Sequence, residues 1–177
     1  MRSAKGRKAA SYRPLLGFPV PVKAHADIPA DARGLRMAVA ASAYHADVTG
    51  AMGRAAREEF AALGGAAGAL RSVPAAGAFE LPLLVDALLA RPDVDGAVAI
   101  GCIVRGETAH DRHLGLAVTQ ELLRISVARG KPVGLAVLTV ESMEQARARA
   151  GGALGNKGAE AMRAAVATAC ARREVAR

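Results

Sequence analysis

Four short apolar runs alternate with longer segments of helical spacing, and this alternation constrains the chain more than any other feature. Leu35-Arg36-Met37-Ala38-Val39-Ala40-Ala41 is the first run, Ala69 to Val73 the second, Val94 to Ile100 the third and Val133 to Leu138 the fourth. Short apolar runs bounded by turn residues are the pattern of strands buried on both faces. Between them, Asp47 to Leu63 carries Val48, Met52, Ala55, Ala56, Phe60 and Leu63 near a helical period and stops at Gly64-Gly65. Phe79 to Leu89 reads as a helix that tolerates Pro82 only in its first turn. A further helix is predicted from about Ala109 to Arg129, closed by Gly130-Lys131-Pro132. Two more, Ser142 to Ala150 and Asn156 to Arg172, are separated by Gly151-Gly152 and Gly155. Such alternation implies right-handed crossovers and an α/β fold with a four-stranded parallel sheet covered on both faces.

The 177 residues suit one domain, and 52% of them are hydrophobic, enough to fill a core. Aromatics are only 3% and Trp is absent, so the core is built from Ala, Val and Leu. Small side chains of this kind let helices and sheets approach closely and go with extensive subunit contacts. Two cysteines, Cys102 and Cys170, are too few for a disulfide framework and belong to no Cys/His cluster. No run reaches the roughly 18 apolar residues of a membrane helix, and no apolar signal-peptide core follows the basic N-terminus. A soluble chain in a reducing, cytoplasmic compartment is expected.

The net charge of +8 is unevenly placed: residues 1–35 hold seven Lys or Arg against two Asp. Residues 1–34 therefore read as a basic, Pro- and Ala-rich flexible leader, and residues 35–177 as the folded domain. The leader is expected to be a solvated tail, with at most weak contact to nucleic acid through its cations.

In parallel sheets, ligands bind beyond the C-terminal strand ends. That rule points to Ser42–His45, Ala75–Glu80, Gly101–His110 and Thr139–Val140. Gly101-Cys102-Ile103-Val104-Arg105-Gly106-Glu107-Thr108-Ala109-His110 is the richest of these, running from a strand end straight into a helix. Backbone N–H groups of a helix first turn form an anion site, Thr108 adds a hydroxyl, and His110 can move a proton near neutral pH. The bland reading makes Thr108 a helix cap and His110 a solvated first-turn residue. His113 lies near the same helix face as His110, but no third metal ligand is suggested.

Four motifs occur in order: Gly77-Ala78-Phe79-Glu80-Leu81-Pro82, Ile100 through His110, Leu138-Thr139-Val140-Glu141-Ser142-Met143-Glu144-Gln145-Ala146, and Arg149-Ala150-Gly151 with Gly155-Asn156-Lys157-Gly158. Together they resemble the lumazine synthase family over about Leu35 to Cys170. The resemblance implies a flavodoxin-like α/β/α sandwich and active sites between neighbouring subunits of a pentamer. It implies condensation of 5-amino-6-(ribitylamino)uracil with 3,4-dihydroxy-2-butanone 4-phosphate, giving 6,7-dimethyl-8-ribityllumazine, phosphate and water. No metal or redox cofactor is implied.

Carried over by motif, His110 matches the family's proton-shuttling histidine. Tyr44 takes the place of the aromatic residue that stacks on the pyrimidine, unless it merely packs. Gly77, Ala78, Phe79 and Glu80 match the segment that holds the ribityl chain and pyrimidine, and Cys102, Ile103, Val104 and Leu135 complete the implied substrate contacts. Cys102 also reads as core. Glu107 and Thr108 match the phosphate loop, Arg149 the phosphate-binding arginine, and Lys157 the lysine of the GNKG motif, which could equally lie at a surface or interface.

Departures from the family pattern cluster near His110. The following residues are Asp111-Arg112-His113, with Arg112 where the family has an acid, and Ala117 stands where it has a glutamate. Less negative charge there would weaken His110 as a base and lower activity without abolishing it. The alternative is a weakly active or inactive paralogue that binds flavin or lumazine or forms a cage. The short Gly151–Asn156 turn resembles that of members that assemble sixty-subunit icosahedral shells.

Overall fold

A computed structural model describes residues 28–176. The elements are β1 (Met37–Ser42), α1 (Ala46–Ala62), β2 (Leu70–Ala75), α2 (Leu81–Leu89), β3 (Gly96–Val104), α3 (His110–Arg129), β4 (Val133–Val140), α4 (Met143–Ala148), β5 (Ala150–Gly152), β6 (Gly155–Asn156) and α5 (Lys157–Val175). The main sheet has the order β2-β1-β3-β4, and every pairing in it is parallel. The expected sheet is therefore present, and the layers are those of a flavodoxin-like α/β/α sandwich.

Alternating side chains of the central strands feed two separate cores. Met37, Val39, Val98 and Ile100 face α1 and α5, meeting Met52, Phe60, Met162 and Val166. Ala38, Ala40, Ala97 and Ala99 face α2 and α3, meeting Leu81, Val85, Leu122 and Ile125. In β1 and the first half of β3 the larger side chains thus lie on one face and the alanines on the other. An ion pair between Asp86 and Arg129 (2.6 Å) ties α2 to α3, and that hydrogen-bonded guanidinium holds the Asp86 carboxyl below its usual range.

The strands run further than their apolar runs predict. β3 continues through Gly101 to Val104, because Cys102, Ile103 and Val104 pair with Leu138, Thr139 and Val140. Gly101 is no boundary: it sits under Leu81 and Ala78, whose side chains would lie 3.2 and 3.5 Å from a Cβ there. β2 includes Pro74, which an edge strand tolerates. α2 begins at Leu81 rather than Phe79, with Pro82 in its first turn. Ser142 caps α4 by accepting the Gln145 N–H, and Asn156 caps α5 by accepting the Gly158 N–H at 2.9 Å.

Residues 150–156, read from sequence as a plain turn, form the antiparallel pair β5–β6. Gly151 (φ 118°) and Gly155 (φ 80°) take backbone conformations that L side chains rarely adopt, which lets the ribbon reverse so tightly.

The expected flexible leader falls largely on residues 1–27, outside the described residues. Packed chain begins before residue 35. Ala32 is fully buried, its N–H donates to the Leu63 carbonyl (2.8 Å), and the Cys170 thiol donates to the Asp31 carbonyl. Among the described residues no helix is long and apolar enough to cross a membrane.

Gly158 lies where α5 crosses α1, and a Cβ there would overlap the backbone of Met52. Gly158→Ala is expected to lower the unfolding free energy by about 3 kcal/mol, because two backbones must separate to admit the methyl group. Chemical denaturation of the variant beside the parent chain checks this.

Candidate active site

The chain leaves β1 to form β2 on one side, then returns to form β3 on the other. Crevices open at such reversals in doubly wound sheets. A cavity of about 460 Å³ lies there, lined by residues from three separate segments. Tyr44 and His45 follow β1; Gly77, Ala78, Phe79 and Glu80 follow β2; Cys102, Ile103, Val104, Gly106, Thr108, His110, Asp111 and Leu114 end β3 and begin α3.

Tyr44 and Phe79 are 69% and 70% exposed, although the chain has only five aromatic residues. Aromatic rings spared from the core stand free to pack against a ligand. Glu80 precedes α2 and caps nothing with its side chain. Its carboxylate folds back over Gly77, where a Cβ would meet Oε2 at 3.0 Å, so the glycine keeps room for it. Burial, with a smaller contribution from the Asp47 charge, pushes the Cys102 thiol up, making Cys102 a neutral apolar wall rather than a nucleophile.

α3 starts at His110, and the Thr108 hydroxyl accepts the His110 N–H at 3.4 Å. Ala109, not Thr108, stands at the cap position and makes no side-chain bond. The His110 side chain is exposed at the cavity and joined by Asp111, which is buried. Arg112 and Ala117 are exposed and do not line the cavity. The acid that lines the cavity beside His110 is thus Asp111, one residue before Arg112. Arg105 is committed elsewhere: it pairs with Glu141 at 2.6 Å, and that bond holds its guanidinium protonated.

Four residues expected in the site do not line this cavity. Glu107 is exposed on the preceding loop. Leu135 is 46% exposed on the edge strand β4. Arg149 and Lys157 are brought to each other by the β5–β6 ribbon, with the Lys157 N–H donating to the Arg149 carbonyl (2.9 Å). The Arg149 guanidinium donates to the Gln145 carbonyl and has no carboxylate partner among the described residues, whereas Lys157 pairs with Glu160. Among the described residues no group of three His, Cys, Asp or Glu side chains could hold a metal ion.

His45, Asp111 and Leu114 are cavity residues that motif matching missed, and Gly106 lay within a motif without being assigned a role. His45 carried a signal only the backbone reveals: φ 53°, ψ 53°, the one non-glycine residue with positive φ among those described. Its carbonyl starts α1 by accepting the N–H groups of Val48 and Thr49, and its ring meets Tyr44 edge-on at 6.3 Å.

The family model described as 6,7-dimethyl-8-ribityllumazine synthase matches residues 34–173. A protein of that name from Thermus thermophilus is 39% identical over 135 residues, covering 76% of this chain and 86% of the relative. Its namesake from Kineococcus radiotolerans is 41% identical over 152 residues, covering 85% and 92%. Another, from Salinispora arenicola, is 46% identical over 123 residues, covering 68% and 70%.

The left-handed backbone of His45 predicts an inverted ranking of two truncations. His45→Gly is expected to be more stable than His45→Ala by about 1 kcal/mol, since only glycine adopts this conformation without strain. Thermal melts of the two variants check it.

Proposed function

The chain belongs to the 6,7-dimethyl-8-ribityllumazine synthase family, and from that membership we propose how its residues divide the work. Its activity is that of a transferase of riboflavin biosynthesis, joining 5-amino-6-(ribitylamino)uracil to 3,4-dihydroxy-2-butanone 4-phosphate to give 6,7-dimethyl-8-ribityllumazine, phosphate and water. The observation that carries the assignment of roles is the convergence of Tyr44, Gly77–Glu80, Cys102–Val104, Thr108 and His110, far apart in sequence, on one cavity.

In this reading the pyrimidine ring packs between the exposed rings of Tyr44 and Phe79, against the apolar wall of Ala78, Cys102, Ile103 and Val104. The Glu80 carboxylate accepts hydrogen bonds from ribityl hydroxyls beside Gly77. His110 gives and takes the protons that imine formation and phosphate loss require, and its exposure lets one ring serve both steps. The backbone around Glu107 and Thr108, at the positive end of α3, faces the phosphate.

Arg149, Lys157 and Leu135 come from a second copy. This is supported by their absence from the cavity lining of a single chain and by the Arg149 guanidinium, which has no carboxylate partner among the described residues and whose fork suits phosphate. Self-association is further supported by exposed Leu116, Leu123 and Val127 at helical spacing on α3. We take the assembly to be a pentamer, able to build a sixty-subunit shell through the short Gly151–Asn156 ribbon. A cytoplasmic site of action belongs to the same reading, supported by the absence of a disulfide framework.

Wild-type protein is expected to form fluorescent lumazine from the two substrates well above the uncatalysed rate. His110→Ala and Arg149→Ala are each expected to reduce kcat/KM by about 100-fold, in the range of a lost acid–base group or charged phosphate contact. Mixed and reassembled, the two inactive variants should regain part of the activity, because some shared sites then contain both native residues. A folded wild-type assembly no faster than background would overturn the reading.

A further inference from the structure

Only three polar residues are buried among those described, Ser42, Thr49 and Asp111, and only Asp111 is charged. Ser42 and Thr49 are accounted for by hydrogen bonds to the backbone around Tyr44 and His45. Asp111 is not. The residue is 8% exposed, and its carboxylate oxygens, which are not sealed from solvent, make neither an ion pair nor a side-chain hydrogen bond among the described residues. It lines the cavity beside His110, from the first turn of α3, where the helix dipole favours negative charge. Arg105, which feels the Asp111 charge through space, is hydrogen-bonded to Glu141.

A carboxylate that reaches a cavity without a protein donor is open to hydrogen bonds from whatever binds there. The cavity's other ionisable groups are Tyr44, His45, Glu80, Cys102 and His110. The carboxylates of Glu80 and Asp111 attract hydroxyl, amine and ring N–H groups. We propose that Asp111 is a substrate-binding residue that accepts hydrogen bonds from the N–H and O–H donors of the pyrimidine-bearing substrate, and that it plays no part in holding the phosphate. The inference rests on the synthase reading above, and it concerns a residue outside the motifs that carry that reading.

The test compares Asp111→Asn, which keeps the shape, with Asp111→Ala, in the full-length protein. Both are expected to raise KM for the aminopyrimidine at least about tenfold, the scale of a hydrogen bond to a charged group, with KM for the phosphate-bearing substrate little changed. Binding of 6,7-dimethyl-8-ribityllumazine, followed by its fluorescence, should weaken by a similar factor whether or not turnover is measurable. Melting temperatures should stay close to that of the parent, since the carboxylate has no protein partner to lose. A purely structural carboxylate would instead lower the melting temperature and leave KM and lumazine affinity alone, which would overturn the proposal. Dissociation of the assembly in both variants would assign Asp111 to a contact between copies and overturn it equally. Absence of wild-type turnover would fail the synthase reading. Wild-type turnover with unchanged KM and lumazine affinity in both variants would fail this inference alone.

Discussion

Everything in this fold hangs on the parallel pairing of β3 with β1 on one side and β4 on the other. β3 is buried from Gly96 to Ile103, so its backbone groups must be satisfied within the sheet. Parallel neighbours cannot be joined by hairpins, and each connection has to cross a face of the sheet as a helix. The helices on both faces, and the meeting of loops at one end of the strands, follow from that requirement. Because β1 is paired to β2 before the chain returns to β3, the reversal opens a crevice there.

The sorting of side-chain size across the sheet shapes that crevice. Alanines at 38, 40, 97 and 99 leave a thin face on which α2 and α3 settle closely. Gly115 continues this approach, since a Cβ there would lie 2.9 Å from the Thr139 hydroxyl. Close seating of α3 brings His110 and Asp111 to the ends of β1 and β3. On the opposite face Gly134 plays the same part for α5, whose Ala161 carbonyl occupies the space of a side chain. A core almost without aromatics is therefore well suited to close approach of backbones, and it leaves Tyr44 and Phe79 to the cavity.

Charge is divided between two places. The cavity holds carboxylates and imidazoles, with the thiol of Cys102 kept neutral by burial. The cations at Arg149 and Lys157 sit together on the β5–β6 ribbon, away from it. Such a separation suits a reaction in which one substrate is rich in hydrogen-bond donors and the other carries a phosphate. On the proposed reading, each site is completed only when the ribbon of one copy meets the cavity of another.

Strand and helix identity were legible in the sequence because apolar runs and helical spacing are local properties of the chain. Met37–Ser42, Ala46–Ala62 and His110–Arg129 lie within two residues of their predicted bounds. Most of the cavity was legible too, since Gly77–Glu80 and Cys102–His110 are contiguous stretches that carry their motif with them. Pairing decided the rest. Gly101 looked like a boundary, yet β3 passes through it because β4 offers partners as far as Val140, and those partners lie 36 positions away in sequence. The β5–β6 ribbon depends on two glycines whose positive φ shows only once the chain is folded. Asp111 and Arg112 are neighbours of equal standing on paper. Successive residues of a helix point about 100° apart, so one carboxylate is turned into the cavity and the next side chain into solvent, a choice made by where α3 rests on the sheet.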